Sequence, residues 1–442
     1  MRFFELFNKA AVFMYLFVTP VLLFSSEAPN PSYRVTLRVE PNLNRIEVQA
    51  VINHPPTNRF YLHEDLDIKE VVSRGKKIDF TREYSEDVAP YTDHGRPVQL
   101  KVIELEELML EYAGTLAEVE KSVNMVRPKL IELAHYASWY PIFAGFPDFT
   151  FELVVDVPND YITTTNGREL ESQHRQGRHI SHWESYAPIS DIVVVSSPVL
   201  QVTKVQSERL ELEVIYSKLD TAFINNKSAQ LSRAMDELSR LYGQSTVKGF
   251  LRFVYSPREG WGYSRIPMFV VSEAQTQRRQ EQEFGVDEDL HGAVHELSHF
   301  WWRIADTSGP NDWLNEGLAE YSSFRLSGLL SGSAFQDKLL DRYRTHARDE
   351  PGDIAIAETP TDSKMRYVNR YERTTLMFHT AGNRFGQDHL DALLRALYSR
   401  FSGDKGATTV LFLEMAEQHI GNKAKDFFSK CLLEPWSTSV LE

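Results

Sequence analysis

The sequence predicts a multidomain protein, with an all-β sandwich over residues 29–203 followed by an α+β domain over residues 204–442. Two patterns predict it. Short runs of period-two alternation, separated by turn residues, recur as far as about Ser197. Helical periodicity takes over from Asp287 onward, after only a few further strands. The length of 442 residues is ample for a core in each part.

In the first part, Val35-Thr36-Leu37-Arg38-Val39 and Thr150–Val157 alternate apolar and polar residues. Asn53-His54-Pro55-Pro56 and Thr165-Asn166-Gly167 punctuate the runs as turns. Asp191-Ile192-Val193-Val194-Val195 reads as a fully buried strand. No His, Cys and carboxylate cluster stands at metal spacing in this part, which implies a structural or substrate-framing role. In the second part, Leu210–Tyr216, Phe250–Tyr255 and Pro267–Val271 are expected strands, with a helix over 227–242 between the first two. Further helices are expected at 287–305, 311–327, 371–385, 387–400, 407–419 and 423–433.

A formal charge of −14 disfavours nucleic acid or an anionic membrane as partner, since both would repel the chain. An apolar run from Ala10 to Phe24, interrupted by Pro20, falls short of the roughly 20 residues of a spanning helix. Ser26-Glu27-Ala28 follows as a small-x-small cleavage site, so residues 1–28 read as a secretory signal peptide, with a retained anchor as the alternative. The expectation is an exported, periplasmic or secreted protein with no membrane span in its mature part. Its lone cysteine, Cys431, can form no intramolecular disulfide and reads as a small core residue. Oligomeric state is not legible.

The chemistry centres on His295-Glu296-Leu297-Ser298-His299. Residues four apart on a helix lie one above the other, so both imidazoles project from one face and can share a metal. Glu296 is turned by about 100° from His295, which lets it approach a water as general base without being a ligand. After Gly309-Pro310 breaks the helix, Asn311 or Asp312 can cap a second one. That helix carries Glu316, which a chain reversal can return to the metal as third ligand. Two imidazoles and one carboxylate leave an open fourth position, as in catalytic rather than structural zinc. Glu320, one turn on, shares the face of Glu316 and is placed to accept the free N–H of His295 or His299. His291 is four residues before His295, but two such steps accumulate about 80° of rotation away from His299. It is therefore expected to be a surface or helix-start residue.

His295–Trp302 followed by Trp313–Tyr321 resembles the gluzincin metallopeptidases, specifically the M1 family of membrane alanyl aminopeptidases and leukotriene A4 hydrolase. Trp139-Tyr140-Pro141 and Thr150–Val157 are similar to that family's N-terminal β-domain. Tyr371-Glu372-Arg373-Thr374 resembles its Tyr-x-Lys-Gly motif, and Phe427-Phe428 its closing catalytic helix. The resemblance implies a thermolysin-like catalytic domain and one Zn²⁺ on His295, His299 and Glu316. It further implies Glu296 as base, and Tyr371, rather than Tyr367, as donor to the tetrahedral intermediate.

Three departures bear on activity. The segment between His299 and Glu316 is roughly two residues shorter than the family's, a loop change that need not move the ligand. Where the family has Gly-x-Met-Glu-Asn, this chain has Gly260-Trp261-Gly262-Tyr263-Ser264 and lacks the amine-binding glutamate. The sequence also stops where the family's catalytic domain stops, short of its large C-terminal helical domain. The expectation is zinc-dependent peptide hydrolysis, M1-aminopeptidase-like, with Gly260, Gly262 and Tyr263 on an edge strand that can pair with an extended peptide. The alternatives are an endopeptidase or dipeptide-releasing enzyme, hydrolysis of a non-peptide substrate, and a catalytically silent peptide-binding homologue.

Overall fold

The computed structural model describes residues 30–82, 89, 92, 94–116, 123–206, 210–245 and 249–437. The expected signal peptide lies outside these residues.

Three β-sheets occupy the first part. The largest has eight strands, in the order Arg168–Arg175, Arg178–Glu184, Thr150–Pro158, Ser32–Glu40, Arg45–Asn53, Glu107–Thr115, Leu66–Ser73 and Lys76–Lys77. Its alternating strands do what their pattern dictates. Val35, Leu37 and Val39 point into the core, together with Ile46, Val48 and Leu153, while the residues between them face outward. Trp139 and Tyr140 lie in the same core. A four-stranded sheet (Ile162–Thr165, Val194–Ser197, Leu130–Leu133, Met125–Arg127) takes up only the end of the expected strand: Asp191 to Val195 are all inaccessible, but residues 191–193 precede the strand, which starts at Val194.

The second part opens with a five-stranded sheet ordered Gln201–Gln206, Leu210–Tyr216, Gly249–Ser256, Met268–Ser272, Tyr263–Arg265. The strand Gln201–Gln206 spans the expected domain boundary at residue 203 and pairs with Leu210–Tyr216. Leu210–Tyr216 runs parallel to Gly249–Ser256, so the chain crosses over through the helix Thr221–Tyr242. Asp220 caps that helix by accepting from the N–H groups of Ala222 and Phe223. A mixed cluster holding Val193, Val195, Val254, Tyr263 and Val270 joins the four- and five-stranded sheets.

The helical lobe departs from expectation in several places. The His-bearing helix spans Gly285–Ser298, not 287–305. Its end tightens into i→i−3 bonds from the N–H groups of His299, Phe300 and Trp301, and beyond them Asn315 Oδ1 accepts from the N–H groups of Ile304 and Ala305, which are not helical. The next helix, Trp313–Leu330, starts after a 3-10 turn at Pro310–Asp312, and neither Asn311 nor Asp312 caps it through its side chain. Asn311 Oδ1 instead accepts from Thr409 N, and the Asp312 carboxylate is taken by Arg370 and Asn315. The helices Glu273–Gln280 and Ser333–Asp349 were not expected. Residues 368–373 form a π-helix leading into Thr374–Phe385. The helices Gln387–Phe401, Thr409–His419 and Asn422–Leu433 follow, the last burying Cys431. No helix among the described residues is long and apolar enough to cross a membrane.

Candidate metal centre

His295 lies in the last turn of its helix and His299 at its C-cap, their rings 5.0 Å apart and nearly perpendicular. The helix Trp313–Leu330 folds back against them. One carboxylate oxygen of Glu316, Oε2, stands 3.4 Å from Nε2 of His295 and 3.4 Å from Nε2 of His299. Bonds of about 2.1 Å in a tetrahedral zinc centre imply ligand–ligand edges of about 3.4 Å, so the spacing fits that ion. These three residues form the one His/Cys/Asp/Glu group among the described residues whose ligand atoms converge in this way. Burial pushes the Glu316 carboxyl up, but the neighbouring His299 and His295 outweigh it and hold it well below the usual carboxylate range. Its ionised state is what a cation requires.

The ring orientations are set from behind. Glu320 Oε2 lies 2.7 Å from His295 Nδ1, and His299 Nδ1 lies 3.2 Å from the Trp302 carbonyl, so each ring presents Nε2 to the centre. His291 is buried, contrary to expectation. Its Nε2 is 2.9 Å from Glu320 Oε1 and its Nδ1 is 2.7 Å from Ser323 Oγ. It thus anchors the carboxylate that orients His295 and is not part of the converging group. Tyr343 also donates to Glu320. Tyr343 was missed because its helix was missed, although Phe335, Leu339, Tyr343 and Ala347 recur every four residues, the signature of one buried helical face.

Tyr371 comes from the π-helix. Its ring stacks on that of His295, with centroids 5.4 Å apart and planes within 10°. Burial, then the charge of Glu316 and a hydrogen bond to it, drive its phenol well above the usual range, so it is a protonated donor. Tyr367 stacks on the far face of Tyr371 and is 51% exposed. What brings this segment so close is Gly317. A Cβ there would come within 2.3 Å of Thr374 Cγ2 and 2.6 Å of the Arg370 carbonyl.

Glu296 lines a cleft of about 880 Å³ together with the three converging residues, Tyr371 and Tyr136. The strand Tyr263–Arg265 borders this cleft as the outer strand of its sheet and as one arm of a hairpin with Met268–Ser272. Gly262 faces the cleft, whereas Gly260, at φ +96°, lines an adjoining cavity with Gly262 and Glu296. The Tyr263 side chain is buried, and its hydroxyl donates to Glu132 at 3.1 Å. Sequence reasoning missed the charged residues on this wall. Arg265 Nε lies 2.8 Å from Asp191 Oδ2, and Arg303 reaches the cleft from the segment after His299.

No protein-family model matches the sequence, and no curated protein does. Solved structures do. An M1 zinc metallopeptidase from Deinococcus radiodurans, in a glutamate-to-alanine variant bound to a Tyr-Ser-Ala substrate, aligns with a TM-score of 0.74 at 13% identity, covering 93% of this chain and 95% of that one. The same organism's M1 zinc metallopeptidase without that substitution gives 0.73 at 14% identity, covering 93% and 96%. Native yeast leukotriene A4 hydrolase gives 0.66 at 15% identity, covering 92% of this chain and 68% of that one. The architecture is therefore that of a two-domain metallopeptidase. More particularly, the chain has the M1 zinc metallopeptidase fold.

Proposed function

We propose that this protein is a zinc-dependent peptidase. The observation that carries the reading is the convergence of His295, His299 and Glu316, with Glu296 beside them in the same cleft. His295, His299 and Glu316 would hold the ion. Zinc, when bound, supplies Lewis acidity, lowering the pKa of water and polarising a carbonyl. Glu296 takes the proton from the attacking water and passes it to the leaving amine, a role typically worth about 10²–10⁴ in rate. Tyr371, protonated and stacked beside the ligands, donates to the oxyanion that develops in the transition state. The outer strand Tyr263–Arg265 can pair with an extended peptide backbone. The fold supports an M1-like aminopeptidase, and the signal-peptide reading of residues 1–28 makes exported or extracellular peptides its substrates.

A specific observation favours the endopeptidase or dipeptide-releasing reading as the second one. Arg265, His299 and Arg303 also line a second cavity, of about 720 Å³, which adjoins the cleft across these three side chains. A peptide-library digest read by mass spectrometry, with and without chelator, tests the main reading. Chelator-sensitive cleavage is expected, and a metal-loaded protein that cuts no peptide would leave a silent binding protein. Comparing free with N-acetylated peptides separates an aminopeptidase from an endopeptidase, since internal cleavage tolerates the acetyl group, and the length of the released fragment identifies dipeptide release.

A further inference from the structure

We propose that Arg303 determines specificity by receiving a carboxylate of the peptide substrate; this rests on the peptidase reading. Arg303 lines both the metal-bearing cleft and the cavity beyond it. Its hydrogen bond to Ser190 Oγ is long, 3.4 Å from Nη2, and among the described residues no carboxylate comes within 4.0 Å of its guanidinium. The acids that could neutralise it are engaged elsewhere. Asp148 pairs with Lys405 at 3.2 Å, Asp191 with Arg265 at 2.8 Å, and Glu316 faces the two imidazoles. Burial and the nearby Arg265 both weigh against the charged form of Arg303. A desolvated guanidinium without an acid is costly, and an incoming carboxylate gives it the charge-assisted, bidentate partner its planar fork fits.

The same wall offers little to an ammonium group. Glu132, the acid nearest Tyr263, is fully buried and already holds Arg258 at 2.9 Å, Ser256 at 2.5 Å and the Tyr263 hydroxyl. The carboxylate that Arg303 receives belongs either to an acidic side chain or to the C-terminus of the peptide.

Three peptides of equal length separate these sources. One has glutamine and a C-terminal amide, one replaces the glutamine by glutamate, and one keeps the glutamine with a free C-terminus. For the wild type, at least one anionic peptide should exceed the neutral one by about tenfold or more in kcat/KM. Arg303→Gln should erase that advantage while leaving the neutral peptide within about twofold, and Arg303→Lys should keep part of it. Calorimetric binding of the same peptides to the Glu296→Gln protein should show the same preference without turnover. Preference in binding with no cleavage by the wild type would overturn the peptidase reading and leave the anion site standing. Equal handling of all three peptides by wild type, or a uniform loss in both Arg303 variants, would overturn the proposal itself.

Discussion

Glu320 Oε2 sits 2.7 Å from Nδ1 of His295, and this contact turns the other nitrogen of the ring toward Glu316. Burial would raise the Glu320 carboxyl, but His291 and His295 hold it well below the usual carboxylate range. An ionised carboxylate here fixes the tautomer and strengthens the ring as a ligand. Glu320→Gln should weaken zinc binding by about 10–100-fold. Competition with a chromophoric chelator measures this directly, and an unchanged affinity would show that the orienting role is unnecessary.

Glu296 touches the cleft without belonging to the converging group. Glu296→Gln should therefore bind zinc like the wild type while losing about 10²–10⁴ in kcat. Metal analysis and peptide turnover on the same sample check both halves. An active variant would remove Glu296 from the role of base.

Tyr371→Phe should lower kcat by about 10²–10³ with zinc content intact, as expected for loss of one donor to a developing oxyanion. Tyr367→Phe, half-exposed on the far face of Tyr371, should fall by less than about threefold. The reverse ranking would assign the donor role to Tyr367.

Gly317 lets the ligand helix and the π-helix touch. Gly317→Ala forces Thr374 or the Arg370 backbone aside and should destabilise the fold by about 1–3 kcal/mol, although alanine favours helices. It should also cost more in kcat than in zinc affinity, because the displaced segment carries Tyr371 rather than a ligand. Denaturant melts and kinetics on one preparation give both quantities.

His63, in the β-rich part, reports on pH. Burial first, then the neighbouring His94, lowers its pKa to about 4, and its Nδ1 accepts from the Asp65 N–H at 3.1 Å. The native state keeps the ring neutral while the unfolded chain protonates it near the ordinary value of about 6.5. Stability from this group is thus complete above about 6.5 and declines as pH falls toward about 4, by about 2 kcal/mol at pH 5. His63→Gln should flatten that part of the stability–pH curve, read from urea melts at pH 7 and pH 5. A curve as steep as the wild type's would rule His63 out as the source.

The alternation in Val35–Val39 and Thr150–Val157 determined the β-rich half, because a strand with one buried face writes its period into the residues. The four-residue step from His295 to His299 likewise determined that two imidazoles share a helix face, since helical geometry is local. The sequence could also place Glu316 and Glu320 one turn apart on the returning helix. Where that helix returns was decided by tertiary structure. Asn315 ties the returning helix to the Ile304–Ala305 segment, Gly317 admits the π-helix, and the charge balance around Arg303 depends on Asp148 and Asp191, far away in the chain. His291 shows the limit most plainly. Its rotation away from His299 was legible from the helix alone, but its burial against Glu320, Ser323 and Tyr343 needed the partners that folding brought to it. Periodicity records which way a side chain leaves its own backbone. What it meets there depends on contacts between distant segments, which no local pattern encodes.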